Sequence, residues 1–144
     1  MIERTFGRLD RIVFTTRDLM REVGDWAVQT IRARTEQGVD ADGAAFVPLS
    51  QAYGDQKQKA LGHRRADLTV SGRMLHDMSV MALTTSSVDI GFRSSGGRAT
   101  GRTFIQRSRA VGAADKAFYH HEAGAGRSRV KRKFFALSAS ELDI

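Results

Sequence analysis

Apolar positions early in the chain recur at spacings of three and four residues, which predicts a long amphipathic helix. Thr15 or Thr16 can cap its start, since Thr15 stands three residues before Asp18 in the order of a capping box, and Gly38 can end it. A helix of this kind needs a sheet or other helices to cover its apolar stripe. The predicted stripe consists of Leu19, Met20, Val23, Trp26, Ala27, Thr30 and Ile31.

The spacing of apolar residues changes after Asp67 and predicts short strands. Leu68–Val70 is typical of a strand, and Ser71 and Gly72 precede a helical turn that carries Met74 and Leu75. Two further strands, Met78–Leu83 and Ser87–Phe92, are joined by a Thr/Ser turn at 84–86. Val88, Ile90 and Phe92 alternate with polar or small residues, as in a half-buried antiparallel strand. We expect this hairpin to cover the long helix.

The remaining segments complete the prediction of one α+β domain over residues 1–144. Residues 51–65 fit a short polar helix or an ordered loop, and Ala113–Ala123 fits a helix that ends at Gly124. Hydrophobic residues make up 41% of the chain, which is sufficient for a packed core. We therefore predict a long N-terminal helix packed on a small antiparallel sheet, with extended basic loops at 93–111 and 125–133.

The net charge of +7 is concentrated in residues 93–133, which hold 11 basic and 2 acidic side chains. This block favours a polyanionic partner or an acidic protein surface, although a loop kept basic for solubility is the alternative. The basic residues lie among glycines and outside any recognition helix, so we expect contact without sequence readout. The candidates are Arg93, Arg98, Arg102, Arg107, Arg109, Arg127, Arg129, Lys131, Arg132 and Lys133.

Residue types that carry catalysis or bind metals are scarce in useful patterns. The chain has no cysteine, and the adjacent His120 and His121 would point about 100° apart on a helix. Asp40 and Asp42 resemble the start of a calcium loop, but the later oxygen ligands are missing, so turn geometry is the better explanation. We expect no enzyme activity, no catalytic residue, no metal and no cofactor. No apolar run has the length of a signal peptide or a membrane span, so we expect synthesis in the cytoplasm and no membrane contact.

Several short motifs follow one another in a fixed order along the chain. Their residues are Gly43, Phe46, Pro48, Leu49, Ser50, Gly72, Leu75, His121, Gly124, Phe134 and Phe135. This order resembles the phage virion-morphogenesis family, the tail-completion and head–tail joining proteins of tailed phages and prophages. The resemblance covers about residues 17–140. This sequence has Glu122 where the family has Gln, Lys133 where it has a proline, and a longer, more basic 93–111 segment.

The resemblance implies a structural virion protein that forms a ring of six or twelve copies where the DNA-filled head meets the tail. Its partners would be other copies of itself, portal or adaptor proteins, and tail-tube or tail-terminator proteins, with genomic DNA contacted through phosphates. The motif residues would serve the fold or subunit contacts. The chain would lie in the virion, and in the host cytoplasm during assembly. Tail completion, tail termination and a neck adaptor stay open, and the alternative is a sequence-independent DNA-binding protein outside the virion.

Overall fold

A computed structural model describes residues 15–93, 112–125 and 129–143. Within these ranges a long helix and a two-stranded antiparallel sheet confirm the α+β prediction. None of the helices in the described ranges is long and apolar enough to cross a membrane. The elements are α1 (Thr16–Glu36), α2 (Gln51–Leu61), α3 (Arg73–Asp77), β1 (Met78–Leu83), β2 (Val88–Phe92), α4 (Ala113–Phe118) with a π-helical continuation (Tyr119–Ala123), and α5 (Ala139–Leu142).

Helix α1 begins and ends at the residues that the sequence predicts. The Thr15 hydroxyl oxygen accepts a hydrogen bond from the Asp18 backbone N–H at 3.1 Å, which satisfies one of the free donors of the first turn. The same hydroxyl donates to the Asp18 carboxylate at 2.5 Å. At the other end Gly38 has a φ of +77°, the left-handed conformation that ends helices.

The buried face of α1 agrees with the predicted stripe at Ala27 and Ile31 and differs from it elsewhere. Gly24, Val28 and Thr35 are also buried, whereas Leu19 and Val23 are 50% and 39% exposed. The reason is the close approach of the hairpin to Gly24. A Cβ atom at Gly24 would lie 2.6 Å from Cγ2 of Val88 and 2.7 Å from Cγ2 of Val80. The helix therefore turns its glycine, and not Val23, toward the sheet.

The hairpin has a bulge that interrupts an otherwise simple register. Met78 lies opposite Phe92 and Leu83 opposite Val88, and the register shifts between Val80 and Ala82. The intervening Met81 is 53% exposed. Bulges of this kind bend a strand and increase its local twist.

The prediction of a strand at Leu68–Val70 is wrong. Leu68 has a φ of +58°, a left-handed conformation that does not continue a strand. Just before it, the Asp67 carboxylate accepts a hydrogen bond from the Thr69 backbone N–H at 3.1 Å. This local bond bends the chain, because a short acidic side chain competes with the ladder for backbone donors.

One apolar cluster joins α1, α3, α4 and the C-terminal segment around Phe134, which is fully buried. The Phe134 ring lies 6.4 Å from that of Phe92, and Phe92 lies 5.1 Å from Phe135, distances typical of packed aromatic pairs. The other buried members are Val28, Ile31, Phe46, Met74, Leu75, Met78, Ala113 and Ala117.

Arg34 of α1 holds the C-terminal segment in place. Its guanidinium donates to the carbonyl oxygens of Phe134 at 2.7 Å and Ala136 at 2.6 Å, and pairs with the Glu141 carboxylate at 2.5 Å. Burial raises the pKa of Glu141, but hydrogen bonds from Ser138 and Arg34 outweigh it and leave that pKa below its ordinary value. The same Ser138 and Glu141 form the capping box of α5.

Candidate partner-binding surface

The motif residues of the resemblance divide into buried and exposed groups. Phe46, Leu75 and Phe134 belong to the central cluster, and Phe135 packs against it. His121 joins the same cluster: its Nδ1 accepts the Phe135 backbone N–H at 3.2 Å, and its ring stands edge-on to Phe134 at 6.1 Å. These five side chains come from four separate parts of the sequence. Their convergence gives each of them a packing role in the fold.

The motif turn at Gly43 is exposed and is built from local bonds. Asp40 uses one carboxylate oxygen to accept the backbone N–H groups of Asp42 and Ala44, both at 2.9 Å. Gly43 has a φ of +83°. Asp40 thus serves turn geometry, which explains the Asp-x-Asp-Gly pattern without calcium.

The other motif residues lie at the ends of helices. Pro48 and Ser50 are exposed and Leu49 is half-buried just before α2, and the Ser50 side chain makes no capping bond. Gly72 precedes α3 with a φ of +66°. Gly124 follows the π-helical continuation of α4 with a φ of +83°, and a Cβ atom there would lie 2.2 Å from the Arg129 carbonyl oxygen. Gly124 is thus required both by its conformation and by the approach of the returning chain.

The predicted basic contacts are described in part. The side chains of Arg93, Arg129, Lys131 and Lys133 are exposed, so they are available to a partner. The remaining surface candidates lie outside the described residues: Arg98, Arg102, Arg107, Arg109 and Arg127.

Arg132 must be removed from the set of surface candidates. It is only 6% exposed, and its guanidinium donates to the Val47 carbonyl oxygen at 2.8 Å. Its backbone N–H donates to the His120 carbonyl oxygen at 2.6 Å. Burial lowers the pKa of Arg132, which the nearby Tyr53 partly opposes. Arg132 joins the C-terminal segment to the rest of the fold.

A buried ion pair, absent from the sequence prediction, links α2 to the bend after it. Lys57 and Asp67 are 1% and 2% exposed, and the Lys57 ammonium donates to the Asp67 carboxylate and to the Arg65 carbonyl oxygen, the latter at 2.6 Å. Burial raises the pKa of Asp67, but hydrogen bonds from Lys57 and Thr69 outweigh it, so that pKa lies below its ordinary value. Gly54, three residues before Lys57, is buried on the same helix.

A cationic cleft, also absent from the prediction, lies at the end of the 113–123 helix. Lys116, Tyr119, His120 and Arg129 supply its side chains, and Ala123, Gly124 and Ala125 complete its lining. Burial, Arg132 and Lys116 lower the pKa of His120 to about 4. The imidazole is therefore neutral at pH 7, and its buried Nδ1 has no hydrogen-bond partner within the described ranges.

Exposed apolar side chains form two further features. Phe118 and Tyr119 are 57% and 52% exposed, and their rings meet edge-on at 5.9 Å beside the cationic cleft. Leu19 and Val23 lie one turn apart on α1 and leave an apolar strip beside the buried face. Such exposed groups are common where a protein meets a partner.

Within the described parts of the chain, no group of three or more histidine, aspartate or glutamate residues could hold a metal ion. Comparisons with protein-family models, curated proteins and solved structures found no match to this chain. The described residues present positive charge and exposed apolar groups at the surface.

Proposed function

We propose that this chain is a structural virion protein of a tailed phage or prophage, without enzyme activity, which forms a ring at the head–tail junction. Its strongest support is the packing of the motif residues. Phe46, Leu75, His121, Phe134 and Phe135 are far apart in the sequence and meet in one cluster. This packing supports the resemblance at the level of the fold, and the head–tail role is what the resemblance implies.

The apolar strip on α1 supports subunit contact. Leu19 and Val23 keep 50% and 39% of their surface exposed on a helix whose other face is buried. A ring needs two different surfaces on each subunit, since its contacts are head-to-tail. We assign the strip to one of these surfaces.

The basic residues would meet either genomic DNA or acidic surfaces of the portal and tail. Lys131 and Lys133 are exposed on either side of the buried Arg132, so alternate residues of this run face outward. Repeated around a ring, these charges would give a positive rim or channel. DNA contact of this kind gains from counterion release and needs no base readout.

The first experiment measures assembly of the purified chain by light scattering and electron microscopy over a concentration series. Rings of six or twelve copies are expected, alone or after addition of the portal or tail. Leu19→Asp with Val23→Asp should abolish ring formation while leaving the circular dichroism spectrum unchanged, because both residues are half-exposed. Leu142→Asp is the matched control, since Leu142 is 65% exposed on α5 and should not affect rings. A chain that stays monomeric with every virion component would contradict the proposal.

The second experiment tests the basic residues in the phage or induced prophage that encodes the chain. Neutralising Arg98, Arg102, Arg107 and Arg109 together separates the two partners. If they face DNA, tailed particles should form and then lose genome. If they face protein, heads and tails should accumulate unjoined. Stable particles with full infectivity would exclude both roles, and DNA binding without incorporation into particles would favour a DNA-binding protein outside the virion.

A further inference from the structure

The cationic cleft and the exposed aromatic pair beside it share one residue. Tyr119 lines the cleft and also meets Phe118 edge-on at 5.9 Å. Lys116 and Arg129 supply positive charge at the cleft, and among the described residues no acidic side chain contributes to its lining. Positive charge and an exposed aromatic surface therefore lie side by side on one helix end.

The electrostatics of the cleft favour an anion with several oxygens. Burial lowers the pKa of Lys116, and Arg73 lowers it further while Asp77 of α3 opposes them. Burial and the charges of Arg132 and Lys116 act in the same direction on His120. Lys116 and Arg129 both line the cleft, and burial disfavours the charged form of Lys116, so an anion bound between them would offset that cost. A phosphate group suits them, because its oxygens accept from both guanidinium and ammonium donors.

The return of the chain over the helix makes the cleft a built feature. Ala125 and Val130 exchange backbone hydrogen bonds of 3.0 and 3.3 Å, which brings Arg129 back toward the helix end. Arg129 has a φ of +47°, an uncommon conformation for a residue other than glycine. Gly124 permits the approach, since any Cβ there would collide with the Arg129 carbonyl oxygen.

We propose that this cleft and the Phe118–Tyr119 pair form a binding site for single-stranded nucleic acid. The cleft holds one backbone phosphate through Lys116 and Arg129, and the aromatic pair stacks an adjoining base. Exposed aromatic faces beside a positive groove are the means by which proteins bind single strands without sequence preference, because every base presents a π-face. In a duplex the bases are stacked on one another and are not available to the aromatic pair, so stacking would add nothing to the affinity for duplex DNA.

This inference goes beyond the proposed function and does not depend on it. The head–tail role uses the exposed basic residues against duplex DNA or protein, whereas the cleft shares Arg129 with that set and adds Lys116 and the aromatic pair. A chain that binds single strands but forms no ring would support the single-strand site and contradict the head–tail ring. Rings that do not bind single strands would support the ring and contradict the single-strand site.

The test compares three probes on the full chain by fluorescence anisotropy and by NMR of the His120 ring: sulfate, a single-stranded oligothymidylate of eight nucleotides, and a mixed-sequence duplex. Sulfate keeps its charge between pH 4 and pH 8, so its titration shows the protein's response alone. Sulfate and the oligonucleotide should both raise the pKa of His120 from about 4, to about 5 or above, because an anion then faces the imidazole. The single strand should bind more tightly than the duplex.

Variants assign the two halves of the site. Phe118→Leu keeps the apolar volume but removes the π-face, and should weaken binding of the single strand about fivefold or more while leaving sulfate binding unchanged. Phe118→Trp should restore it. Arg129→Asn should weaken the binding of both sulfate and the single strand, and asparagine tolerates the left-handed conformation at this position. Arg21→Gln on α1 removes one positive charge away from the cleft and is the matched control, which should bind both probes as the wild type does. Binding of sulfate without binding of the single strand would show a site for free phosphate only. A duplex that binds as tightly as the single strand, or more tightly, would refute base stacking on the aromatic pair. A His120 resonance that moves with none of the three probes would refute the whole proposal.

Discussion

Removing one partner of the buried Lys57–Asp67 pair should be among the most destabilising single changes in the described part of the chain. Lys57→Met leaves a carboxylate that is 2% exposed with the Thr69 N–H as its remaining close donor. The loss of one partner of a buried pair costs about 3–5 kcal/mol. We expect about 3 kcal/mol, because the exposed Arg65 side chain, 3.9 Å from the carboxylate, can move closer and compensate in part.

The measurement is a double-mutant cycle of Lys57→Met, Asp67→Asn and both together. Unfolding in urea is followed by the fluorescence of Trp26, the single tryptophan, and by circular dichroism. Each single variant should lose about 3 kcal/mol, which lowers Tm by about 10 °C for a chain of this size. The double variant should lose far less than the sum, because it leaves no unpaired buried charge.

The pH dependence gives a second readout of the same pair. The pKa of Asp67 is lower in the folded chain than in the unfolded chain, so its contribution is present above pH about 4 and is lost as pH falls through the folded value. Wild-type stability should therefore fall in acid more steeply than that of Asp67→Asn. Single-variant losses that add to within about 0.5 kcal/mol, together with equal acid slopes, would refute the reasoning.

Three further predictions concern backbone approach and buried charge, and urea unfolding checks each. Gly124→Ala should lower the free energy of unfolding by more than about 3 kcal/mol or abolish folding. Gly43→Ala, with a similar φ but open space around it, should lower it by about 1–2 kcal/mol. Equal losses for the two variants would contradict the role given to the Arg129 carbonyl oxygen. Gly24→Ala should lower the free energy of unfolding by about 1–3 kcal/mol, although alanine favours a helix more than glycine does, because its Cβ atom would collide with Val88. Adding Val88→Ala should recover part of that loss, because it removes the colliding methyl group. Arg132→Met should lower the free energy of unfolding by about 1.5–3 kcal/mol, because the part-buried Val47 carbonyl oxygen loses its charged donor. A loss below about 0.5 kcal/mol would contradict the role of Arg132 in joining the C-terminal segment to the fold.

The elements that depend on local sequence could be predicted. Thr15 and Gly38 mark the ends of α1 because capping and left-handed glycine need no distant partner. The alternation of Val88, Ile90 and Phe92 predicts β2 because the period of two is a property of the strand itself. Hence the fold class follows from the sequence.

The missing parts depend on distant contacts. Lys57 looks like any lysine of a polar helix, and its burial requires Asp67 in a bend ten residues later. Arg132 stands in a run of basic residues, and the Val47 carbonyl that orders it is 85 positions away. The apolar periodicity of α1 includes the exposed Leu19 and Val23 and omits Gly24, because Gly24 carries no apolar side chain although the hairpin packs directly on it.

The position of Phe134 in the chain sets an order of events during synthesis. α1 leaves the ribosome early, but the Arg34 guanidinium bonds to carbonyl oxygens that lie 100 and 102 residues later. At about 5–20 residues per second, the helix waits roughly 5–20 s for these partners. The hairpin covers part of its apolar face earlier, but the central cluster lacks Phe134 for that time, and folding intermediates with exposed apolar surface aggregate or recruit chaperones. Translation pauses or premature termination before residue 134 should therefore yield insoluble or chaperone-bound chains, so the supply of this protein depends on uninterrupted translation.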